Sequence, residues 1–551
     1  LIIAGEYTGA GTSNSFTVTM NNTATTDFGS APTAANSLLT PGIAICNKGT
    51  LTFGTSAATN YYLKQSNSVI VYSGGTLNIG TTGTPIPRGS TANLQFDCGA
   101  AGDYGLIIRN LGTFSHQGLS RSSGKNIYYC LLNTDEAANS TSLGVDTDTG
   151  WLDNDVIAVA STTRTASQCE SGTLNGNAGA STLTVDGFGG AGGGLNYAHG
   201  GTSPVQAEVA LLTRNTNIYG ASITLTSYIY FGATATIDCD WAGYYWIGLS
   251  SAGKYGIEIA STTGTCSINY CSLYNCTVAS NRGFYVSSAS GSNIDISYNC
   301  IYNGQYNLWI SSNSVNNTYN YNIIMLSANV NVYLAGTSTF TYNRVSGGGV
   351  SGVQLVNNRD LGVFTNNIIH SNTPYGISQL IISTTLYNIM SGNISDCVLY
   401  RNATSGLFGY NFTNTIFTNL ISFGHTYNII LNGTGGTFYN LLNNGDTSFS
   451  TTDGIRLNNS VINVDFINCD FSTVSGIKTT NINDFNVQSG YLVNITLINT
   501  KLGAATELSG QTNMLPNSYI SSQKHDQSAG LHKTWKREGT LTIETTTTQA
   551  G

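Results

Sequence analysis

Two aspartates separated by a single residue are the first candidates for acid–base chemistry in this sequence. Asp238 and Asp240 stand in the segment IDCDWAGYYW at 237–246. In a β-strand, alternate side chains point to the same face, so the two carboxyl groups would lie side by side. Glycosidases place two carboxyl groups about 5 to 9.5 Å apart. No histidine or other acid or base stands close by in the sequence, and we therefore favour the interpretation that both are turn or surface residues.

Aromatic residues offer a second kind of chemistry, the binding of carbohydrate. An exposed ring packs against the apolar face of a sugar, while Asn and Ser side chains bind the sugar hydroxyls, and neither contact needs a charge. The alternative, which we favour, is that the same rings fill the core where two parts of the chain join. The candidate glycan-binding residues are Tyr244, Tyr245, Trp246, Tyr306 and Trp309, with Trp241 beside the first three.

A third group has the spacing of a calcium loop. Asp146, Asp148 and Asp153 stand in DTDTGWLDND at 146–155, where carboxylates alternate with other residues as calcium ligands do. The segment lacks the closing glutamate of a helix-loop-helix site, so calcium is the only cofactor that the sequence suggests and a structural role is favoured. The six histidines are scattered, which indicates neither a metal triad nor a Ser-His-Asp order.

The composition excludes several classes of protein. Only 9% of the 551 residues are charged, and the net charge is −8 with a pI near 5.2. A nucleic-acid partner is excluded because neutralising phosphates requires clustered Lys and Arg. No apolar stretch approaches the roughly 18 to 20 residues of a membrane span. Abundant Gly, Ser, Thr, Asn and Tyr favour strands and turns over helices, which predicts an all-β fold.

A short pattern recurs from residue 269 onward, an Asn or Asp followed two positions later by a residue that is usually aliphatic. Successive anchors are 18 to 31 residues apart. A period in the twenties with one short strand per recurrence predicts a right-handed parallel β-helix, or β-solenoid, whose coils stack at about 4.8 Å. Stacked Asn side chains would form a hydrogen-bonded ladder. The predicted ladder residues are Asn269, Asn299, Asn322, Asn343, Asn367, Asp396, Asn414, Asn440, Asn468 and Asn499.

The amino-terminal part carries longer strand patterns bounded by glycine. Three motifs follow one another along the chain: a GGTL strand, a strand that begins with GW and is followed by an Asp, and the closing strand EVALLTRN. The residues that match the pattern are Gly49, Gly74, Gly75, Gly80, Gly150, Trp151, Asp155, Glu208, Arg214, Asn215 and Gly220. In these motifs residues 40–220 resemble the extracellular domain family named for its eight glycines. The resemblance implies a β-helical or β-roll cap outside cells or on a particle surface, with Glu208 and Arg214 in structural roles. Asn154 stands where the family usually has glycine.

These patterns predict four segments and the state of the cysteines. Residues 1–40 form an amino-terminal β segment or cap, 41–222 the eight-glycine-like domain, 223–510 the parallel β-helix and 511–551 a capping or connecting segment. The eleven cysteines show no CxxC pair or zinc spacing, and several directly follow a ladder residue. We therefore expect most of them to be buried and unpaired.

Two functions from different classes fit these features. The first is a structural β-solenoid at a cell or virion surface, a fibre, spike or filament subunit that associates with itself, for example as a trimer, and binds surface glycans. The second is a polysaccharide-degrading β-helix enzyme, such as a tailspike depolymerase or a hyaluronan-related hydrolase. A carboxylate cluster on one face of the coils would distinguish the enzyme. Because the sequence shows none convincingly, the structural function is favoured.

Overall fold

The computed structural model describes most of residues 42–444, with gaps at 54–59, 123–124, 261–263, 288–292, 312–314, 357–359, 381–390, 413 and 435. Outside that span it describes short segments between residues 2 and 28 and between 453 and 548. The chain divides into two compact units. The first comprises Leu1–Thr162 and Ser167–Tyr333, and the second comprises Thr163–Ala166 and Leu334–Gly551.

The first unit winds through three parallel strands per coil, and equivalent strands of successive coils pair into three stacks that we call faces 1, 2 and 3. Face 1 contains Ile43–Ile45, Val69–Val71, Gly105–Ile108, Tyr228–Phe231, Ile257–Ile259, Arg282–Val286 and Tyr306–Ile310. Face 2 contains Gly49–Phe53, Thr76–Ile79, Thr113–Gln117, Thr236–Asp240, Thr265–Asn269, Asn293–Ser297 and Val315–Asn320. Face 3 contains Tyr61–Gln65, Ala92–Phe96, Thr216–Tyr219, Ala242–Tyr245, Ser272–Cys276, Cys300–Gly304 and Ile323–Ser327.

Short strands near the amino terminus pair with the first of these coils. Ile2–Ile3, Phe16–Met20 and Thr26–Phe28 lie parallel to strands of faces 1, 2 and 3 respectively. Glu6–Thr8 and Thr12–Asn14 form an antiparallel hairpin. The residues predicted as an amino-terminal β segment thus include strands that follow the same three-face order as the coils.

The core of the first unit consists of columns of apolar side chains that point inward from each face. On face 2, Leu77, Phe114 and Ile237 stand in register in successive coils, and each is at most 2% exposed. Burying a side chain of this size contributes about 1.5–3 kcal/mol. Alternate residues on the same strands point outward, so each strand supplies both the core and the surface of its face.

An antiparallel sheet is inserted into one coil, between Thr113–Gln117 of face 2 and Thr216–Tyr219 of face 3. Its strands, in spatial order, are Tyr129–Leu131, Glu208–Leu211, Val156–Val159, Glu170–Leu174, Thr182–Asp186 and Ser142–Gly144. Gly201–Thr202 and Val205–Gln206 form a small hairpin beside it. The insertion has its own apolar core around the fully buried Trp151.

The second unit repeats the three-strand coil. Its first face contains Ser351–Val356, Tyr375–Leu380, Ser405–Asn411, Tyr427–Thr434, Asp453–Asn458 and Asn483–Gln488. Its second face contains Thr337–Thr341, Asp360–Thr365, Ser391–Ser395, Asn414–Thr418, Thr437–Tyr439, Ile462–Ile467 and Val493–Ile498. Its third face contains Arg344–Gly348, Ile368–His370, Val398–Tyr400, Ile421–Phe423 and Leu442–Asn444. Val330–Leu334 spans the division between the units. Ile520–Asp526, Leu531–Glu538 and Thr540–Thr548 follow as an antiparallel group.

The pairing confirms the predicted all-β, right-handed parallel β-helix. The only helices among the described residues are the short 3-10 turns Ala166–Gln168 and Ala191–Gly193. Within the described part of the chain, no helix has the length and apolar character that crossing a membrane requires. The structure describes all eleven cysteines, none of them forms a disulfide, and every one except Cys46 is buried.

A buried asparagine ladder runs where face 2 turns into face 3. In the first unit, Asn322 Oδ1 accepts from the backbone N–H of Asn299 at 3.0 Å and from its Nδ2 at 3.1 Å. Asn299 Oδ1 in turn accepts from the backbone N–H of Cys271 at 2.8 Å. In the second unit, Asn343 and Asn367 repeat the first arrangement. Each ladder residue therefore satisfies backbone groups that would otherwise be buried without partners.

Five of the predicted ladder residues do not occupy this position. Asn269 lies two residues before it, because Cys271 holds the equivalent place and its Sγ accepts from the Ala242 N–H. Asn414 begins a strand of the second face. The remaining three of the five stand on the outer side of the turn. The tenth predicted residue, Asn499, lies outside the described residues. The residues on the outer side are Asp396, Asn440 and Asn468, each with a positive φ.

The predicted boundary at 222 and 223 does not coincide with the division into units, since the first unit runs to Tyr333. The described strands between residues 42 and 122, together with Thr216–Tyr219, form coils with the same face order as those that follow. The four segments of the sequence analysis stay predictions, and the inserted sheet is a feature that they did not include.

Replacing Asn322 by alanine is expected to lower the free energy of unfolding by about 3 kcal/mol. The change removes an acceptor from the buried Asn299 N–H and a donor to the Ile296 carbonyl, and each buried group left unpaired costs about 1–3 kcal/mol. Urea denaturation measures the loss. Asn110→Ala, at an exposed site, is the matched control, and equal midpoints for the two variants would contradict a stabilising ladder.

Candidate functional site

Outward side chains of three successive face 2 strands form a polar surface that we call the carboxylate face. Asp238 stands in register with Ser267, and Ser267 with Asp295, while Asp240 stands in register with Asn269. The two aspartates of the sequence analysis thus share a face, and the structure adds a third carboxylate two coils away. The carboxylate face is defined as Asp238, Asp240, Ser267, Asn269, Asp295 and Ser297.

Hydrogen bonds fix most side chains of the carboxylate face. Asn269 Nδ2 donates to Ser267 Oγ at 2.9 Å, and the Ser297 hydroxyl donates to Asp295. Thr82 Oγ1, on a turn of a preceding coil, donates to Asp238 Oδ2 at 3.1 Å. The polar groups are therefore held in place before any ligand arrives, which lowers the entropic cost of binding.

Asp240 is electrostatically unlike the other carboxylates. Burial, and secondly the nearby charge of Asp238, raise the pKa of Asp240 to about 6, while the Trp241 backbone N–H and Arg214 oppose the rise. Its Oδ1 is buried and has no hydrogen-bond partner among the described residues. A carboxyl group in this state changes charge within the physiological pH range, as acid–base and ligand-binding groups often do.

The aromatic residues predicted near 244 lie in the core or in ring stacks. Tyr244 is fully buried and forms a 3.1 Å hydrogen bond with His116 Nδ1. Tyr245 stacks between Tyr219 and Tyr274, with ring centroids 4.5 and 5.0 Å apart. Trp246 packs edge-on against Tyr245. These contacts correspond to the alternative interpretation, in which the rings fill a junction.

Trp309 is half-buried, but both faces of its ring are covered. Tyr333 stacks on the indole at a centroid distance of 3.7 Å, and the Arg282 guanidinium lies 4.0 Å from the ring centre. Tyr306 meets Trp309 edge-on at 4.9 Å. A sugar cannot stack on a ring whose two faces are already in contact with protein, so the face-to-sugar packing expected for Trp309 does not fit this geometry.

Of the residues that build this aromatic stack, the sequence analysis named Trp309 and its neighbour Tyr306 but not Tyr285, Tyr333 or Arg282. Tyr285, Trp309 and Tyr333 are 24 residues apart, and Arg282 also contacts Tyr285 and Tyr255 at 4.3 and 4.5 Å. The constant interval equals the length of one coil. This spacing of aromatic residues is the sequence signal for the stack, and the repeated Asn pattern does not contain it.

The three predicted calcium ligands each have a different protein partner. Asp146 accepts from the Leu131 N–H, and Asp148 pairs with Lys125 at 2.7 Å. Asp153 accepts from the Gly176 N–H at 2.6 Å. In the part of the chain that the structure describes, no group of three or more His, Cys, Asp or Glu residues could hold a metal ion. The three carboxylates anchor separate turns, which corresponds to the structural role favoured by the sequence, and calcium binding by this segment stays a prediction.

Residues of the glycine-bounded motifs hold the insertion in place. Asp155 is fully buried and accepts from Arg121 at 2.6 Å, while Trp151 Nε1 donates to the Ile127 carbonyl. Arg214 donates to the carbonyls of Leu211, Thr213 and Tyr270. Asn154 has a φ of 63°, the left-handed conformation that glycine adopts readily.

Comparisons with known proteins find solved structures of similar fold, but none of those described below is more than 10% identical to this chain in sequence. No family model matches the sequence, and no curated protein matches it. A double mutant of the periplasmic alginate epimerase AlgG is 8% identical, with 83% of this chain and 78% of that chain covered and a TM-score of 0.41. The A-module of the Azotobacter vinelandii mannuronan C-5 epimerase AlgE4 is 10% identical, with 86% and 91% covered and a TM-score of 0.34.

A third similar structure is the Gp54 tailspike of Acinetobacter baumannii bacteriophage AP22, solved with a capsular saccharide. It is 10% identical, with 86% of this chain and 75% of that chain covered and a TM-score of 0.24. The fold assignment rests on the strand pairing of this chain, and no residue role is transferred from these proteins.

Asp240→Asn is expected to make the protein more stable at pH 8 and to leave its stability unchanged near pH 4. The pKa of Asp240 is raised from 3.8 to about 6, so the folded state holds a proton that unfolding releases. The wild type therefore loses stability as the pH rises from about 4 through 6, by up to ~3 kcal/mol. Urea denaturation at both pH values measures the difference.

The control for this prediction is Asp97→Asn. Asp97 pairs with Lys64 at an exposed site, where an ion pair contributes little. If Asp240→Asn behaved like this control at pH 8, burial of the Asp240 charge would be refuted.

Proposed function

We propose that the protein is a structural β-solenoid of a cell or virion surface that binds glycans through the carboxylate face. The proposal keeps the function favoured by the sequence but moves the binding surface from the aromatic residues to polar groups. Its fibre or spike role, self-association and extracellular location follow from the sequence analysis and from the resemblance to the eight-glycine family.

One observation carries the proposal, the fixed array of carboxylate, amide and hydroxyl groups on consecutive face 2 strands. Sugars present hydroxyl groups that donate to carboxylates and exchange hydrogen bonds with amides. Asp238 and Asp295 stand two coils apart with Ser267 between them, and Asn269 lies beside that serine. Successive coils repeat at about 4.8 Å, so an extended chain could contact several of them at once. Repeated weak contacts in an oligomer would add avidity.

Binding to a panel of surface glycans is expected to fall about tenfold or more in Asp295→Ala. The change removes a charged acceptor, and a hydrogen bond to a charged group contributes about 1.5–3 kcal/mol. A glycan array followed by calorimetry on the full chain measures the effect. Asp97→Ala removes an exposed carboxylate elsewhere and should bind as the wild type does. No binding to any glycan, or equal loss in both variants, would contradict the proposal.

The second candidate function is polysaccharide cleavage, and the state of Asp240 favours it. A glycosidase uses a carboxylic acid of raised pKa with a second carboxyl group about 5 to 9.5 Å away. Asp238 is two residues from Asp240 on one strand, which is ~6.6 Å of chain. Thr82 donates to Asp238 Oδ2, which occupies one of the lone pairs through which Asp238 could bind a nucleophilic water, so we rank cleavage second.

We expect the purified protein not to shorten hyaluronan, pectin or alginate. Size-exclusion chromatography of each polymer after prolonged incubation at pH 5 and pH 7.5 is the measurement. Chain shortening by the wild type that disappears in Asp240→Asn would establish the second function and displace the first. Shortening that persists in Asp240→Asn would point to a contaminant or to another site.

A further inference from the structure

A cleft of about 480 Å³ opens in the first unit where face 2 turns into face 3. Three separate stretches of chain line it. The turn after Thr76–Ile79 contributes Thr82, Pro85 and Arg88, and the segment entering the insertion contributes Lys125 and its neighbours. Asp240 and Trp241 form the third side. The volume lies within the ~300–1,000 Å³ of sites for small ligands.

Two buried polar atoms of opposite character belong to residues that line this cleft. Asp240 Oδ1 is an acceptor and Arg88 Nε is a donor, and neither has a hydrogen-bond partner among the described residues. A buried polar group left without a partner costs about 1–3 kcal/mol. Because these two atoms are buried, a ligand with hydroxyl and acid groups would contact the same side chains through the other oxygen of Asp240 and the other nitrogens of Arg88.

The lining carries more positive than negative charge in a chain whose net charge is −8. Arg88 and Lys125 are its basic residues, and Asp240 is its only carboxylate. Lys125 is paired with Asp148, which does not line the cleft, and that pair is exposed. Arg88 is held by a 2.6 Å hydrogen bond from one guanidinium nitrogen to the Gly150 carbonyl. Arg88 is therefore the better placed of the two to bind an anion.

We propose that this cleft is a subsite for one anionic sugar unit, with Arg88 binding the acid group and Asp240 binding a hydroxyl. A guanidinium group matches the geometry of a carboxylate or sulfate, and the cleft has room for a ring. The inference rests on the glycan binding proposed above and adds the class of ligand. It depends on different residues from Asp295, so the two proposals can fail separately.

Binding at this subsite should depend on pH through Asp240. When protonated, Asp240 is neutral and can donate to a ligand hydroxyl, and when ionised it repels an anionic ligand. Its pKa of about 6 places this change between pH 5 and pH 7.5. The titratable or charged groups near Asp240 or in the lining are Asp238, Cys239, Tyr270, Cys271, Arg214, Arg88 and Lys125. Of these, Asp238 raises the pKa and Arg214 lowers it.

The test is calorimetric titration of the full chain with glucuronate, glucose 6-sulfate and glucose at constant ionic strength. We expect the wild type to bind at least one anionic sugar about tenfold more tightly at pH 5 than at pH 7.5, and to bind glucose more weakly. Asp240→Asn resembles the protonated acid, so its affinity should be independent of pH and should match that of the wild type at pH 5. Arg88→Gln should lose binding at both pH values.

Matched controls separate the subsite from general surface charge. Arg109→Gln removes an exposed arginine and should leave binding unchanged, and thermal unfolding verifies that Arg88→Gln is folded. Preference for glucuronate or for the sulfate identifies the acid group, and either result supports the subsite. No binding of either anion, equal binding of glucose, pH-independent binding by the wild type, or unchanged binding by folded Arg88→Gln would overturn it.

Discussion

The left-handed turn between faces 2 and 3 is the constraint on which the arrangement of the coils depends. In the first unit it is made by Trp241, Tyr270, Tyr298 and Tyr321, with φ values of 53, 52, 60 and 55°. Bulky residues are rare in this conformation, which costs roughly 1–2 kcal/mol each. Two interactions offset the cost. The rings stack at centroid distances of 4.7 to 4.9 Å, and the next residue in two of the coils is a ladder asparagine.

This turn also decides which outward residues remain able to bind a ligand. Because coils stack in register, aromatic residues at equivalent positions cover one another's faces, as Trp309 and Tyr333 do. Such columns stabilise the solenoid but present only ring edges. Carboxylates, amides and hydroxyls keep unused hydrogen-bonding capacity after they bond along the stack, since each oxygen has two lone pairs. The polar columns are thus the better ligand surface in this fold, although aromatic rings bind sugars well elsewhere.

The repeat in the sequence was sufficient to predict the fold but not the register of the ladder. Asparagine is accepted at two adjacent positions of the same turn, the outer left-handed one and the buried one that follows. Asn366 occupies the first and Asn367 the second, and spacing alone cannot separate them. The cleft was beyond reach for a different reason. Arg88, Lys125 and Asp240 come together only because the insertion lies between two strands of one coil, and no local pattern records that.

The low charge of the chain follows from the same stacking. Carboxylates at equivalent positions of adjacent coils would lie ~4.8 Å apart and repel by about 3.5 kcal/mol at an effective dielectric constant of 20. In the carboxylate face, Ser267 separates Asp238 from Asp295, and neutral Gln117 and Asn269 flank Asp240 in its own column. Two coils of separation halve the repulsion, and salt screens much of the remainder. A carboxylate on this face is therefore tolerated because its stacked neighbours are not acidic, and each one is isolated from like charge along its column. With neutral neighbours in its column, Asp240 is repelled mainly by Asp238 on its own strand. Burial is therefore the largest cause of the rise in the pKa of Asp240, and the charge of Asp238 is the second.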